Sequence, residues 1–323
     1  MLARAEIFSA HWVVFIVAVL FFLALDLGVF HRQAHVVRVR EAALWTSLWF
    51  CLSMAFAWLA APRMVPDWGP RETSEFVTGY ILELSLSMDN VFVIALIFSY
   101  FRVPQKYQHR VLFWGILGAL VMRGIMIWAG VGLVKRFEWM FYVLGAFLVV
   151  TGIKMAFAGE EEVHPERNLA IRLARKLFPV SSDFDGQRFL TKLNGRTALT
   201  PLALVLLMVE TTDLIFAVDS IPAILGVTQN SYVVFTSNVF AILGLRSLYF
   251  VLAGAIEFFR YLKIGLAVVL VFIGIKMLLV KTRFHVPTTV SLAVVAGIIF
   301  TAILVSVITA WRERRAGSKA EDH

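Results

Sequence analysis

Glu83-Leu84-Ser85-Leu86-Ser87-Met88-Asp89-Asn90 and Glu210-Thr211-Thr212-Asp213-Leu214-Ile215-Phe216-Ala217-Val218-Asp219-Ser220 place five carboxylates inside sequence otherwise apolar enough to cross a membrane. On insertion scales an ionised carboxylate at a bilayer centre costs about 2.5–3.5 kcal/mol. Five of them facing lipid would cost about 12–18 kcal/mol, more than the net stability of an ordinary fold. They therefore face one another, a water cavity or a cation. They are the candidate functional site.

Outward from these runs the chain stays apolar. Hydrophobic residues make up 60 % of its 323 positions and charged residues 16 %, a membrane composition. Nine stretches are long enough to span a bilayer, near 11–30, 44–61, 76–100, 111–133, 139–158, 199–222, 231–255, 263–280 and 288–310. The expected fold class is an all-α polytopic membrane protein. Met1-Leu2-Ala3-Arg4-Ala5-Glu6 carries one Arg and one Glu, and Phe30-His31-Arg32 offers no small-residue cleavage site. The first span is thus expected to stay as a helix. Cys51 is the single cysteine, so neither a disulfide framework nor a thiolate cluster is expected.

The net charge is +8, but its distribution does not suggest nucleic acid. Basic residues favour alternate connections. One set holds Arg32, Arg38, Arg40, Arg102, Lys106, Arg110, seven residues of the 159–198 loop, Arg260, Lys263, Arg312, Arg314, Arg315 and Lys319, 19 in all. The opposite set holds Arg4, Arg63, Arg71, Lys135, Arg136, Lys281 and Arg283, which is 7. The positive-inside rule then places the N-terminus in the periplasm and the C-terminus in the cytoplasm of a bacterial inner membrane. An odd number of spans fits those ends.

The fifth span ends in Gly152-Ile153-Lys154-Met155, and the eighth contains Gly274-Ile275-Lys276-Met277. Ile116-Leu117-Gly118 precedes Arg123, as Ile242-Leu243-Gly244 precedes Arg246. Arg123 lies 29 positions before Gly152, and Arg246 lies 28 before Gly274. Each block opens on one acidic run. Spans three to five and six to eight thus read as two copies of a three-helix unit. An odd number of spans per copy inserts them in opposite orientations, with a site at their interface near the midplane. The acidic register stays open: Glu83 and Asp89 match Asp213 and Asp219, or Asp89-x-x-Phe92 matches Asp213-x-x-Phe216. The chain divides into two first spans over 11–61, repeat one over 76–158, a cytoplasmic loop over 159–198, repeat two over 199–281, a last span over 288–310 and a basic cytoplasmic tail over 311–323. In the loop, Leu169, Leu173 and Leu177 recur beside Arg172, Arg175 and Lys176, the pattern of a basic amphipathic helix on the inner membrane surface.

At about 100° per residue, Glu83 and Asp89 sit about 120° apart on an unbroken helix. Pro222 removes a backbone donor and clashes with the carbonyl of residue 218. A break near Asp219 is therefore expected, turning the acids together and freeing carbonyls. The donors are oxygens: Glu83, Asp89, Glu210, Asp213 and Asp219, the amides of Asn90 and Asn238, and the hydroxyls of Ser85, Ser87, Thr211, Thr212 and Ser220. Such a set suits magnesium, calcium or manganese rather than zinc or copper. Met88 and Met208 would favour manganese as soft ligands, or serve as apolar filler. Arg123 and Arg246 are the expected charge partners of the acids. Two arginines cannot neutralise five acids, which leaves room for a divalent cation or for protons. Lys154 and Lys276 snorkel. Asp26 is a structural or entry-path carboxylate.

These acidic signatures resemble those of the TerC family, including its Alx-type bacterial inner-membrane members. So do Leu25-Asp26-Leu27 before Phe30-His31-Arg32, Thr200-Pro201-Leu202 and Gly244-Leu245-Arg246. The resemblance covers nearly the whole chain. It implies a LysE-type transporter built on inverted three-helix repeats, a history of tellurium resistance and a link to manganese export. It also implies that the five acids handle the cation. Tellurite is an oxyanion that a carboxylate-lined cavity would repel. The leading expectation is a secondary exporter of divalent manganese, with proton coupling through the same carboxylates, no tightly bound cofactor and no enzymatic activity. The alternatives are a membrane partner protein in stress response or metal supply to secreted proteins, and a membrane-embedded acid hydrolase. No nucleotide motif argues for ATP drive.

Overall fold

In the computed structural model, the residues described are 9–25, 39–157, 166, 168–193, 195–252, 262–280, 282 and 286–321. They are nearly all helical. The helices are α1 (Ser9–Leu25), α2 (Val39–Ala55), α3 (Ala61–Met64), α4 (Pro70–Tyr100), α5 (Gln105–Arg136), α6 (Met140–Phe157), α7 (Leu169–Leu177), α8 (Pro201–Leu225), α9 (Ser231–Leu252), α10 (Leu262–Leu278) and α11 (Thr288–Glu321). A π-helical segment, Phe56–Ala60, joins α2 to α3. A small antiparallel hairpin, β1 (Leu190–Leu193) and β2 (Arg196–Leu199), pairs Leu190 with Leu199 between α7 and α8.

Seven of the described helices are long and apolar enough to cross a membrane. They fall on seven of the nine expected spans. α1 and α10 fall on the other two, each with 17 described residues. Their neighbouring segments, which include Asp26, lie outside the described residues. Exposure supports the membrane setting. Trp128 is 80 % exposed, Phe157 86 % and Phe300 67 %, side chains that lipid covers at no cost and water does not. The interior helix is α9, with 83 % of its apolar window buried.

Local chemistry sets the ends of the two acid-bearing helices. Pro70 opens α4 with its φ preset, and the Glu72 carboxylate accepts the Gly69 N–H at 2.9 Å. Pro201 opens α8, and Thr200 Oγ1 accepts the Ala203 N–H at 3.4 Å. The expected break at Pro222 does not occur. α8 stays helical through it to Leu225, because Ala217, Ile221 and Ile224 are buried on either side and packing holds the turn.

Helix pairing is reciprocal. α4 packs on α9, α8 on α5, and α6 on α10. At the last crossing, a Cβ on Gly152 would lie 2.7 Å from the Ala267 carbonyl oxygen and meet Val271. A Cβ on Gly274 would lie 2.6 Å from the Gly145 carbonyl oxygen and meet Val149. Adding 122 to 145, 149 and 152 gives 267, 271 and 274, so each helix offers the other equivalent surfaces. The absent side chains let two backbones touch.

One bundle end gathers residues 65–69, 136–140 and 226–231. There Lys135 Nζ reaches Ser231 Oγ at 3.5 Å. The opposite end gathers α7, the hairpin and the start of α5, where Arg110 lies over the Phe189 ring at 5.4 Å. α7 buries Ile171 and Ala174, and leaves Leu169, Leu173 and Leu177 exposed.

Gly152→Ala and Gly274→Ala should each lower stability by about 1–3 kcal/mol, because the added methyl meets backbone. A Cβ on Gly132 would meet nothing within 4 Å. Gly132→Ala should be neutral or gain up to about 1 kcal/mol of helix propensity. Thermal unfolding of the purified protein in detergent reads all three. Equal behaviour of the three variants would refute the close crossing.

Candidate functional site

Arg123 of α5 is the hub of the bundle interior. It is 1 % exposed. Its Nη2 donates to Asp213 Oδ1 at 2.8 Å and its Nε to Asp213 Oδ2 at 3.1 Å. This is the two-pronged guanidinium–carboxylate geometry. Its Nη1 donates to Glu83 Oε1. One cation thus holds a carboxylate of α4 and a carboxylate of α8. With both acids ionised, the trio carries one excess negative charge.

Two buried amides complete this arrangement. Asn238 of α9 donates from Nδ2 to Glu83 Oε2 at 2.9 Å. Asn90 of α4 donates from Nδ2 to Asp213 Oδ1 at 3.4 Å. Ser87 Oγ donates to Glu83 Oε1 at 3.4 Å. Glu83 is fully buried and Asp213 is 8 % exposed. Four helices therefore converge on two carboxylates.

Asp89 and Asp219 share a narrow cleft that Arg123 also lines, with Leu86, Asn90, Met155, Phe216, Ser220 and Leu270. The cleft has about 10 Å³ of room for a water-sized body, the scale of a single water. Both aspartates are partly exposed, whereas Asn90 and Ser220 are buried. Asn90 Oδ1 and Ser220 Oγ have no hydrogen-bond partner among the described residues, and neither does Asn238 Oδ1. A buried oxygen left in that condition costs about 1–3 kcal/mol. Two such oxygens on one small cleft mark a place for a polar guest.

The unbroken helices divide the five acids. Glu83 and Asp213 bind Arg123. Asp89 and Asp219 share the cleft. Glu210 is half-buried and its carboxylate lies against Gly118 of α5, where a side chain would collide with it. Among the described residues no three His, Cys, Asp or Glu side chains converge as a ready-made metal cage. Arg246, 5 % exposed, contacts His109 of α5. Ser85 and Thr212 bond to carbonyls of their own helices, as does Thr211. Thr211 also accepts the Asn168 Nδ2–H at 2.9 Å, and Asn168 caps α7. Met208 is buried filler in the apolar core of the α7 end, and Met88 packs beside it.

One acid escaped the sequence reading. Glu75 of α4 is 3 % exposed and bonded to Thr228. It borders the apolar window and reads as a helix-end acid. Its signal was the spacing to Glu83, two turns along one face.

The chain belongs to the integral membrane protein TerC family, which it matches over residues 68–317. It is 51 % identical over 297 residues to "Uncharacterized membrane protein STKORF319" of Myxococcus xanthus, covering 92 % of each chain. It is 47 % identical over 308 residues to a protein of Escherichia coli K12 named "Putative membrane-bound redox modulator Alx", covering 93 % of this chain and 94 % of that one. The Salmonella typhi protein of the same name is 47 % identical over 300 residues, covering 91 % and 93 %. No solved structure matches the chain significantly.

Arg123→Gln strands two carboxylates in the interior and should cost about 3–5 kcal/mol, seen as a loss of folded protein in membranes. The charge-matched triple variant Arg123→Gln, Glu83→Gln, Asp213→Asn should recover most of that amount. A triple variant no more abundant than Arg123→Gln would show that the arginine acts through packing, not charge.

Proposed function

We propose that this TerC-family protein is a secondary transporter of the bacterial inner membrane that exports a divalent cation, manganese foremost. The observation that carries the reading is the cleft shared by Asp89 and Asp219, with Asn90 Oδ1 and Ser220 Oγ unpartnered beside them. All these donors are oxygens, which suits a hard cation. The excess negative charge of the Arg123 trio adds to the cation's attraction. Met155 on the cleft wall offers a thioether that would favour manganese over magnesium.

The sidedness proposed is the one the basic loops predict. The end with residues 65–69 and 226–231 faces the periplasm, and the end with α7 faces the cytoplasm. α7 then rests its Leu169, Leu173 and Leu177 row on the inner leaflet, with Arg172, Arg175 and Lys176 toward the headgroups. The reciprocal pairing of α4–α6 with α8–α10 supports an inverted repeat. The two units would rock about the α6–α10 crossing. Glu83 and Asp213, held by Arg123, would keep the halves in register. Asp89 and Asp219 would bind the cargo and exchange it for protons drawn inward, since a carboxylate releases its metal when protonated.

The Alx relatives are named as redox modulators. The single Cys51 is exposed and cannot form an intramolecular disulfide, so thiol exchange within this chain does not account for such a role. Altered metal content of the cell would reach redox balance indirectly.

Asp89→Asn with Asp219→Asn keeps size and removes the two charges. The variant should accumulate at normal levels yet leave cells manganese-sensitive, with efflux reduced at least about 100-fold, the scale of two lost charge–ligand contacts. A structural role predicts the reverse: less protein with normal efflux per molecule. Normal manganese efflux from a well-expressed double variant would end the transport-site reading.

A further inference from the structure

Glu75 is a buried carboxylate that the cation site does not use. It sits on the α4 face that also carries Gly79 and Glu83, one and two turns further in. Thr228 Oγ1, in the turn between α8 and α9, donates to Glu75 Oε2 at 2.5 Å. Thr228 is itself fixed: it is 6 % exposed and its Oγ1 accepts the Asn230 N–H at 3.1 Å. On the solvent side, Arg71 Nε donates to Glu75 Oε1 at 2.9 Å, from a side chain 72 % exposed. Lys276 of α10 lies within electrostatic reach of Glu75. One carboxylate therefore ties the start of α4 to the α8–α9 turn, with α10 alongside. A carboxylate so supplied with donors is a poor cation ligand and a good fastener.

Directly beneath it the same helices close tightly. A Cβ on Gly79 would lie 2.9 Å from Ile224 Cδ1 of α8 and 2.9 Å from Ser237 Oγ of α9. Gly79, Ile224 and Ser237 are all buried. Along α4 this contact lies between Glu75 at the bundle end and Glu83 of the Arg123 network. The fastener and the contact both join the α4 unit to the α8–α9 unit, and these must separate if that end is ever to open.

We propose that this end of the bundle is the outward gate of the cation path, with Glu75–Thr228 as its latch and the Gly79–Ser237–Ile224 contact as its seal. The proposal rests on the transport reading for the cargo, but the gate itself is measurable without any cargo. Glu75 acts as a positioning residue, not as a cation ligand.

The test uses full-length protein with Cys51→Ser, which removes the sole native cysteine. Ser237→Cys is introduced as a reporter and reacted with a membrane-impermeant maleimide added outside intact cells. Glu75→Gln should speed that labelling about tenfold, the scale of one charge-assisted hydrogen bond lost. Thr228→Val removes only the hydroxyl and should act in the same direction, which guards against a poorly folded Glu75 variant. Unchanged labelling in both variants would overturn the latch. The seal is tested with Gly79→Cys and Ser237→Cys together, whose spacing suits a disulfide. Oxidised, this protein in liposomes should lose manganese flux, and a reductant should restore it. Full flux through fully cross-linked protein would overturn the gate. Faster labelling in Glu75→Gln, with no metal moved by any reduced variant, would uphold the gate and refute the cargo.

Discussion

The structure depends on one buried arginine held by two carboxylates from different helices. Arg123 reaches Glu83 of α4 and Asp213 of α8 from its place on α5, and Asn238 brings α9 to the same point. None of these charged groups is tolerable alone in hydrocarbon. Together they fix the azimuth of the helices, because a helix turned by one residue would strand an ion. The network is therefore a constraint on packing before it is part of any chemistry. It also sorts the acids: Glu83 and Asp213 are paired with Arg123, while Asp89 and Asp219 line a cleft beside it that Asn90 also lines. That division explains how straight helices serve two roles with acids spaced six apart.

Much of this fold was readable in residue chemistry. Long apolar runs predicted the helices, and the matched Gly-Ile-Lys-Met motifs fall on the two helices, α6 and α10, that cross each other. Gly152 and Gly274 now have a physical reason: each is where the partner helix's backbone passes. That the five acids must turn inward was readable from their insertion cost alone. Arg123 was readable as a charge partner from its place near mid-span, but which acids it holds was not, because it lies 40 positions from Glu83 and 90 from Asp213. Only the packing of α4, α5 and α8 brings them together. Pro222 misled for a related reason. Its local penalty is real, but the buried apolar residues around it hold the helix straight. Arg246 looked equivalent to Arg123 by spacing, yet it meets His109, a residue without a counterpart in the motif comparison.

The near-symmetry of α6 and α10 stands beside the asymmetry of the two acid runs. At the α6–α10 crossing each helix offers the other equivalent residues. The two acid-bearing helices are fastened differently: Glu75 of α4 bonds Thr228 in the α8–α9 turn, and Thr211, near the middle of α8, bonds Asn168 at the start of α7. Membership in the TerC family gives this architecture a wider bearing, because residues 68–317 contain both units and every acid discussed except Asp26.

We propose that intramembrane carboxylates of this one chain carry a divalent cation across the bilayer. This is tested most directly by purified protein alone in liposomes, with a manganese-quenched dye inside and an imposed pH gradient. Saturable manganese flux is expected, accelerating when protons run in the opposite direction, with calcium and magnesium competing only weakly. Flux no faster than in protein-free liposomes, from protein shown to be folded and inserted, would contradict it.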